Sequence, residues 1–164
     1  MPRKPKSTTS EAVDGASLRH YAVSLLARRD HARAELRTKM VRKFGAEADL
    51  EPVLSWCEEH GFLDDRRFAG LFTRSRIERG QGPLRIRVDL QQRGVSGDLV
   101  EEALQEAECD WFALAETVVR RRFRQPPADV REKARQLRFL QSRGFDAEQS
   151  FQALSSFAAH QDDD

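Results

Sequence analysis

The stretch GFLDDRRFAGLFTRSRIERGQGPLRIRVDLQQRGV, residues 61–95, decides the fold. Leu63-Asp64-Asp65 forms a short turn ahead of Phe68, Ala69, Leu71 and Phe72, which fall on two turns of one helical face. Arg79-Gly80-Gln81-Gly82-Pro83 then breaks the chain, because glycine permits positive φ and proline opens a helix more readily than it continues one. Ile86 and Leu90 follow at i, i+4, and Arg93-Gly94-Val95 closes the unit with glycine in a C-cap position. Read alone, Leu84, Ile86, Val88 and Leu90 alternate with charged residues as a half-buried strand would.

The flanking sequence overrules the strand. A shift of 50 residues places Leu36/Met40 on Ile86/Leu90 and on Gln136/Leu140, an i, i+4 pair with one polar exception. The same shift superposes Leu18, Phe68 and Val118, then Leu54, Leu104 and Leu154, then Lys43, Arg93 and Arg143. Helix is therefore expected over 84–90. The expected fold is all-α: three tandem three-helix repeats forming an elongated, curved, solenoid-like molecule. Residues 1–16 are expected as a disordered basic tail, 17–62 as repeat 1, 63–108 as repeat 2, 109–159 as repeat 3 and 160–164 as a frayed acidic tail.

Capping residues set the expected helix starts. Ser17 opens the first helix, with Leu18, Tyr21, Ala22, Leu25 and Leu26 as its stripe, and Asp30 opens the second. Pro52 is tolerable only in the first turn of the third, which carries Leu50, Val53, Leu54 and Cys57. Helices at 65–79 and 83–93 precede one capped by Ser96; Asp110 and Asp129 cap the next two. Asp146-x-x-Gln149 resembles a capping box opening the last helix, with Phe151 and Leu154 inward.

Charge is sorted along the chain although the net charge is only +1. Residues 18–44, 66–95 and 117–143 hold eight, eight and nine bases against two acids each. Residues 45–65 and 96–116 hold seven acids apiece and no Lys or Arg, and 144–164 hold five acids alone. Of 28 basic residues 23 are arginine, whose planar fork suits phosphate and carboxylate. The reading is a basic stripe on the first two helices of each repeat and an acidic stripe opposite. The first suits nucleic acid or an acidic groove, and the second a basic protein.

Catalytic and metal-binding constellations are missing from the pattern. His20, His31, His60 and His160 are scattered, and Cys57-x-x-His60 has no second ligand pair at zinc-finger spacing. Asp64 and Asp65 are read as helix-start residues, since adjacent side chains diverge. Gly80-x-Gly82-Pro83 lacks the strand and the Lys-Ser/Thr of a phosphate-binding loop. Cys57 and Cys109 are read as buried reduced thiols in a cytoplasmic protein. Neither a secretory signal nor an apolar run long enough to span a membrane is visible. No metal or cofactor is expected.

On Gly61–Ala69, Arg79-Gly80-Gln81-Gly82-Pro83-Leu84-Arg85-Ile86, Leu90 and Arg93-Gly94-Val95, the sequence resembles the RecX family of regulators of the RecA recombinase. The resemblance extends to Tyr21–Leu36 and to Val53-Leu54 through Gly61, and reaches the third repeat by pattern more than by identity. It implies three three-helix repeats, no enzymatic activity, and binding to RecA and its filament on single-stranded DNA. Filament growth, ATP hydrolysis and strand exchange would be limited, with effects on recombination and the SOS response. A monomer without membrane contact is expected.

The contact residues come from the charge pattern: Arg66, Arg67, Arg74, Arg76, Arg85, Arg87, Arg93, Arg120, Arg121, Arg122 and Arg124. The alternative is a helical-repeat protein acting on DNA directly, without RecA. Against a helix-turn-helix module stand Glu101, Glu102, Glu106 and Glu108 on the third helix of the second repeat, where phosphates would be repelled.

Overall fold

The computed structural model describes residues 14–161, and among them every regular element is an α-helix. In order these are α1 (Gly15–Arg28), α2 (Arg33–Phe44), α3 (Glu51–Glu59), α4 (Asp65–Glu78), α5 (Pro83–Gln92), α6 (Gly97–Glu106), α7 (Trp111–Arg122), α8 (Val130–Ser142) and α9 (Ala147–Gln161). The alternating run 84–90 is helical. Ile86 and Leu90 are fully buried, while Leu84 and Val88 are 44% and 48% exposed.

Caps explain most of the starts. The Ala113 amide donates to Asp110 Oδ1 (3.0 Å) and the Glu132 amide to Asp129 Oδ1 (2.8 Å). The capping box at α9 is reciprocal: the Gln149 amide donates to Asp146 Oδ1 (2.7 Å) and the Asp146 amide to Gln149 Oε1 (3.0 Å). Ser96 accepts from the Leu99 amide at 3.5 Å. Pro52 and Pro83 both lie in first turns, where no intrahelical donor is lost.

Two starts differ from expectation. Asp14, not Ser17, caps α1 by accepting from the Ala16 amide at 3.2 Å, so Gly15 and Ala16 are helical. Helix α2 begins after Ala32 with no side-chain cap, and not at Asp30. The linker is fastened instead by Arg29, which makes paired 3.1 Å bonds to Glu35, and by the buried His31. The rest of the expected N-terminal tail lies outside the described residues. So does the expected acidic tail beyond Gln161. His160 and Gln161 themselves are helical, and His160 Nδ1 sits 2.7 Å from Glu116 Oε1.

Two compact units divide the chain, one ending at Asp64 and the other beginning at Asp65. In the first, α1 packs on α2 and α3 around Leu18, Ala22, Leu36, Met40, Leu54 and Cys57. In the second, α4 packs on α5 and α6, and α7 on α8 and α9. The 50-residue register survives in the cores. Leu36, Met40, Ile86, Leu90 and Leu140 are fully buried, and Gln136, the polar exception, is 4% exposed. Its Nε2 donates to the Gln125 carbonyl at 3.1 Å, which satisfies the buried amide nitrogen.

Three side chains expected inward or buried are not. The buried stripe of α4 runs through Phe68, Ala69 and Thr73, which turns Leu71 outward at 50% exposure. Phe151 is 48% exposed, with Lys133 Nζ lying 5.7 Å from its ring centroid. Cys109 is only partly buried; Cys57 is fully so, and both are free thiols.

The turn after α4 and the turn after α8 clasp each other within the second unit. The Gly82 amide donates to the Arg143 carbonyl (2.7 Å) and the Leu84 amide to the Gly144 carbonyl (3.0 Å). Backbones approach so closely that a Cβ on Gly82 would lie 2.4 Å from Gly144 C and O, and one on Gly144 2.4 Å from Arg85 Cβ. Gly144 also holds φ at +95°, which only glycine adopts cheaply. The glycines of the central motif therefore join helices as well as turn the chain.

Candidate functional site

The arginines expected at the contact surface fall into two groups. The first group is tied up in contacts that lie mostly inside single repeats. Arg87 makes a bidentate pair with Glu101 at 2.6 and 3.2 Å. Those bonds hold the Arg87 pKa above and the Glu101 pKa below their ordinary values. Arg66 lies 3.2 Å from Glu102. Arg120 lies 3.2 Å from Glu116, with its guanidinium 5.4 Å from the Phe157 ring. Arg85 stands 4.0 Å from Asp89 and donates to the Ser142 carbonyl at 3.4 Å. Arg76 and Arg93 both stack on Phe72, at 4.4 and 4.8 Å. Arg76 is half-buried against Asp89 (3.4 Å), and burial pulls its pKa down. Arg93 donates to the Asp89 carbonyl at 3.0 Å.

This stitching follows the repeat. Arg37 meets Glu51 at 3.3 Å, and fifty residues on Arg87 meets Glu101. A further fifty on stand Leu137 and Phe151, where Lys133 over the Phe151 ring takes the place of an ion pair. Glu51 and Glu58 of α3, and Glu101 and Glu102 of α6, thus pair with bases of their own repeat. These four acids therefore do not stand opposite the bases, unlike the expectation drawn from charge order alone.

The second group of arginines is exposed: Arg67 and Arg74 on α4, Arg121 and Arg122 in the last turn of α7, and Arg124 just beyond it. Arg121 and Arg122 line a cleft of about 250 Å³ in the second unit. Arg79, Arg143, Glu78 and Phe139 line it too. The guanidinium of Arg143 is 5.2 Å from the Phe139 ring, and that of Arg122 is 6.0 Å from it and 5.0 Å from Phe123. Among the described residues, Arg79, Arg121, Arg122 and Arg143 form no ion pair, so the lining holds four arginines against one acid. Arg124 lines a neighbouring cleft of about 220 Å³ with Arg135, Glu132, Gln136 and Phe123.

Arg79 and Arg143 were not among the residues expected at the surface. The signal lay in the sequence: each immediately precedes the glycine that ends its helix, so each is carried to the clasp.

The remaining titratable residues have structural surroundings. His60 Nδ1 donates to the Trp56 carbonyl (2.8 Å) and its ring lies 4.5 Å from the Trp56 ring. Burial pushes the Cys57 thiol pKa up, away from thiolate chemistry. Asp65 sits in the first turn of α4. No group of three or more His, Cys, Asp or Glu able to hold a metal occurs among the described residues. No described helix is long and apolar enough to cross a membrane.

Comparison with known proteins bears on the family and the fold. Residues 64–104 match the sequence model of the second three-helix domain of RecX, and residues 108–154 that of the third. The regulatory protein RecX of Halorhodospira halophila is 49% identical over 156 residues, covering 94% of this chain and 92% of that protein. The regulatory protein RecX of Escherichia coli strain SE11 is 42% identical over 149 residues, covering 84% and 90%. The crystal structure of RecX from Lactobacillus salivarius superposes with a TM-score of 0.69 at 17% identity, over 87% of this chain and 95% of that one. A second crystal structure of a regulatory protein RecX gives 0.71 at 23% identity, over 82% and 69%. These two likenesses establish the shared fold.

Proposed function

The chain belongs to the RecX family, and from that premise we propose that it is a non-enzymatic regulator of RecA. It binds RecA and the RecA–single-stranded DNA filament and restrains filament growth, ATP hydrolysis and strand exchange. The observation that carries the reading is the set of exposed arginines left over once the repeats are stitched: Arg74, Arg79, Arg121, Arg122, Arg124 and Arg143. Internal ion pairs account for Arg66, Arg87 and Arg120, so those three hold the fold more than they meet a partner. The leftover arginines supply a positive field that a filament carrying phosphates and acidic protein surface would meet.

The test is a pull-down with purified RecA, with and without single-stranded DNA and nucleotide. Capture is expected to be strongest with the assembled filament. Charge reversal at Arg121→Glu with Arg124→Glu should weaken capture at least about tenfold while leaving melting nearly unchanged, since exposed charges add little to folding. Capture of bare DNA as strong as that of the filament would favour direct action on nucleic acid.

A further inference from the structure

We propose that the cleft between the α4–α5 turn and helices α7 and α8 is a binding site for an oligophosphate anion. The ligand would be inorganic tripolyphosphate or the phosphate chain of a nucleotide. Four arginines, Arg79, Arg121, Arg122 and Arg143, line a space of about 250 Å³ whose lining includes one acid, Glu78. None of the four is neutralised by another described residue, whereas Arg66, Arg87 and Arg120 nearby in the same unit all are. Like charges held together repel, so the empty cleft carries a penalty that an anion relieves.

The walls are fixed before any ligand arrives. The Arg143 carbonyl is held by the Gly82 amide at 2.7 Å, and a Cβ on Gly80 would meet Val118 Cγ2 at 2.8 Å. Packing on Phe139 restrains the guanidinia of Arg143 and Arg122 at 5.2 and 6.0 Å. Two of the four arginines thus lose less side-chain entropy on binding phosphate than free ones would.

Charge and volume select the ligand. The cleft has a net charge of three positives, four arginines less Glu78. A DNA strand brings one negative charge per nucleotide, so a cleft of this size would meet a single phosphodiester charge. Adjacent phosphoryl groups sharing bridging oxygens bring several charges into the same space, and arginine pairs with each bidentately. The volume falls below the roughly 300–1,000 Å³ of pockets that enclose a whole organic ligand, so a base and sugar would project outside.

The experiment titrates the full chain by calorimetry and melting, at constant ionic strength, with tripolyphosphate, orthophosphate and a short single-stranded oligonucleotide. Tripolyphosphate should bind at one site, raise the melting temperature and outcompete orthophosphate by at least about tenfold. Arg79→Gln with Arg121→Gln should cost about a hundredfold, two charge-assisted contacts at about tenfold each. Should that double variant melt early, Arg121→Gln alone, at an exposed helical position, still gives the tenfold readout. Arg28→Gln, in the other unit, should change nothing. Orthophosphate matching tripolyphosphate would reduce the effect to ionic strength and overturn the site. Undiminished binding by the Gln variants would overturn it as well. An oligonucleotide that binds more tightly than tripolyphosphate and loses affinity in the same variants would reassign the cleft to phosphodiesters. No RecA is present, so failure here leaves the filament reading standing, and a failed pull-down leaves this one.

Discussion

Arginine does two different jobs in this chain, and only its immediate partners tell them apart. Arg87 lies against Glu101 and is one-third exposed, a pair of the kind worth under about 1 kcal/mol. Arg87→Glu should therefore lower the melting temperature slightly by setting two carboxylates together. Combining it with Glu101→Arg should restore the loss, which a double-mutant cycle measures directly. Histidine behaves in a similarly local way at His31. Its Nδ1 donates to the Arg29 carbonyl at 3.0 Å, and its Nε2 accepts from Lys39 Nζ at 3.1 Å. Burial, with the charges of Arg29 and Lys39, pulls its pKa down despite Glu35 nearby. The neutral ring is the folded form, so its stabilisation is present above the unfolded value of about 6.5 and is lost as pH falls through the lower folded one. Acid should thus destabilise the unit ending at Asp64 in this window. His31→Gln should flatten that limb of a stability–pH curve, and an unchanged slope would show that another group titrates.

At the scale of elements, the clasp between the α4–α5 and α8–α9 turns makes the sharpest demand. Gly82→Ala would drive a methyl into the Gly144 carbonyl from 2.4 Å, at a cost of about 1–3 kcal/mol of the overpacking kind. Gly97→Ala, with open space around it, should be tolerated, and denaturant melts of the two compare them. The capping box gives a smaller effect: Asp146→Ala should cost about 1 kcal/mol by orphaning the Gln149 amide. The helices and their cores were readable in sequence because burial has a period. Leu36/Met40, Ile86/Leu90 and Gln136/Leu140 recur at fixed spacing, and Asp110, Asp129 and Asp146 mark the starts. The clasp was not readable. Gly82 and Arg143 lie sixty-one residues apart, and nothing local reports a long-range backbone bond. For the same reason charge order showed where bases and acids alternate but hid that Arg87 and Glu101 neutralise each other. Arg79 and Arg143 read as turn residues in the sequence, and only the fold brings them to the lining of one cleft.

For the whole molecule, internal pairing reduces the charge on offer to a partner but does not erase it. The arginines beside the Phe123 and Phe139 rings and Arg124 remain outward, while Glu51, Glu58 and Glu101 are largely occupied by Arg33, Arg37 and Arg87. A contact built on those arginines alone would bind bare single-stranded DNA with a steep salt dependence, about 0.7 log units per log unit of salt for each phosphate neutralised. A filament offers protein as well as phosphate, and Leu71, Leu84 and Val88 are exposed apolar side chains on α4 and α5 that protein could cover. Apolar burial is not screened by salt, so that share of the binding free energy persists as ionic strength rises. Affinity for the RecA–DNA filament should therefore exceed affinity for bare DNA, and the gap should widen toward physiological salt. Side-by-side salt titrations of the two complexes measure both slopes. Leu84→Ser with Val88→Ser should bring the filament slope toward that of bare DNA without shifting the latter. Equal affinities with parallel slopes would mean that RecA contributes nothing to binding and that the protein acts on the nucleic acid itself.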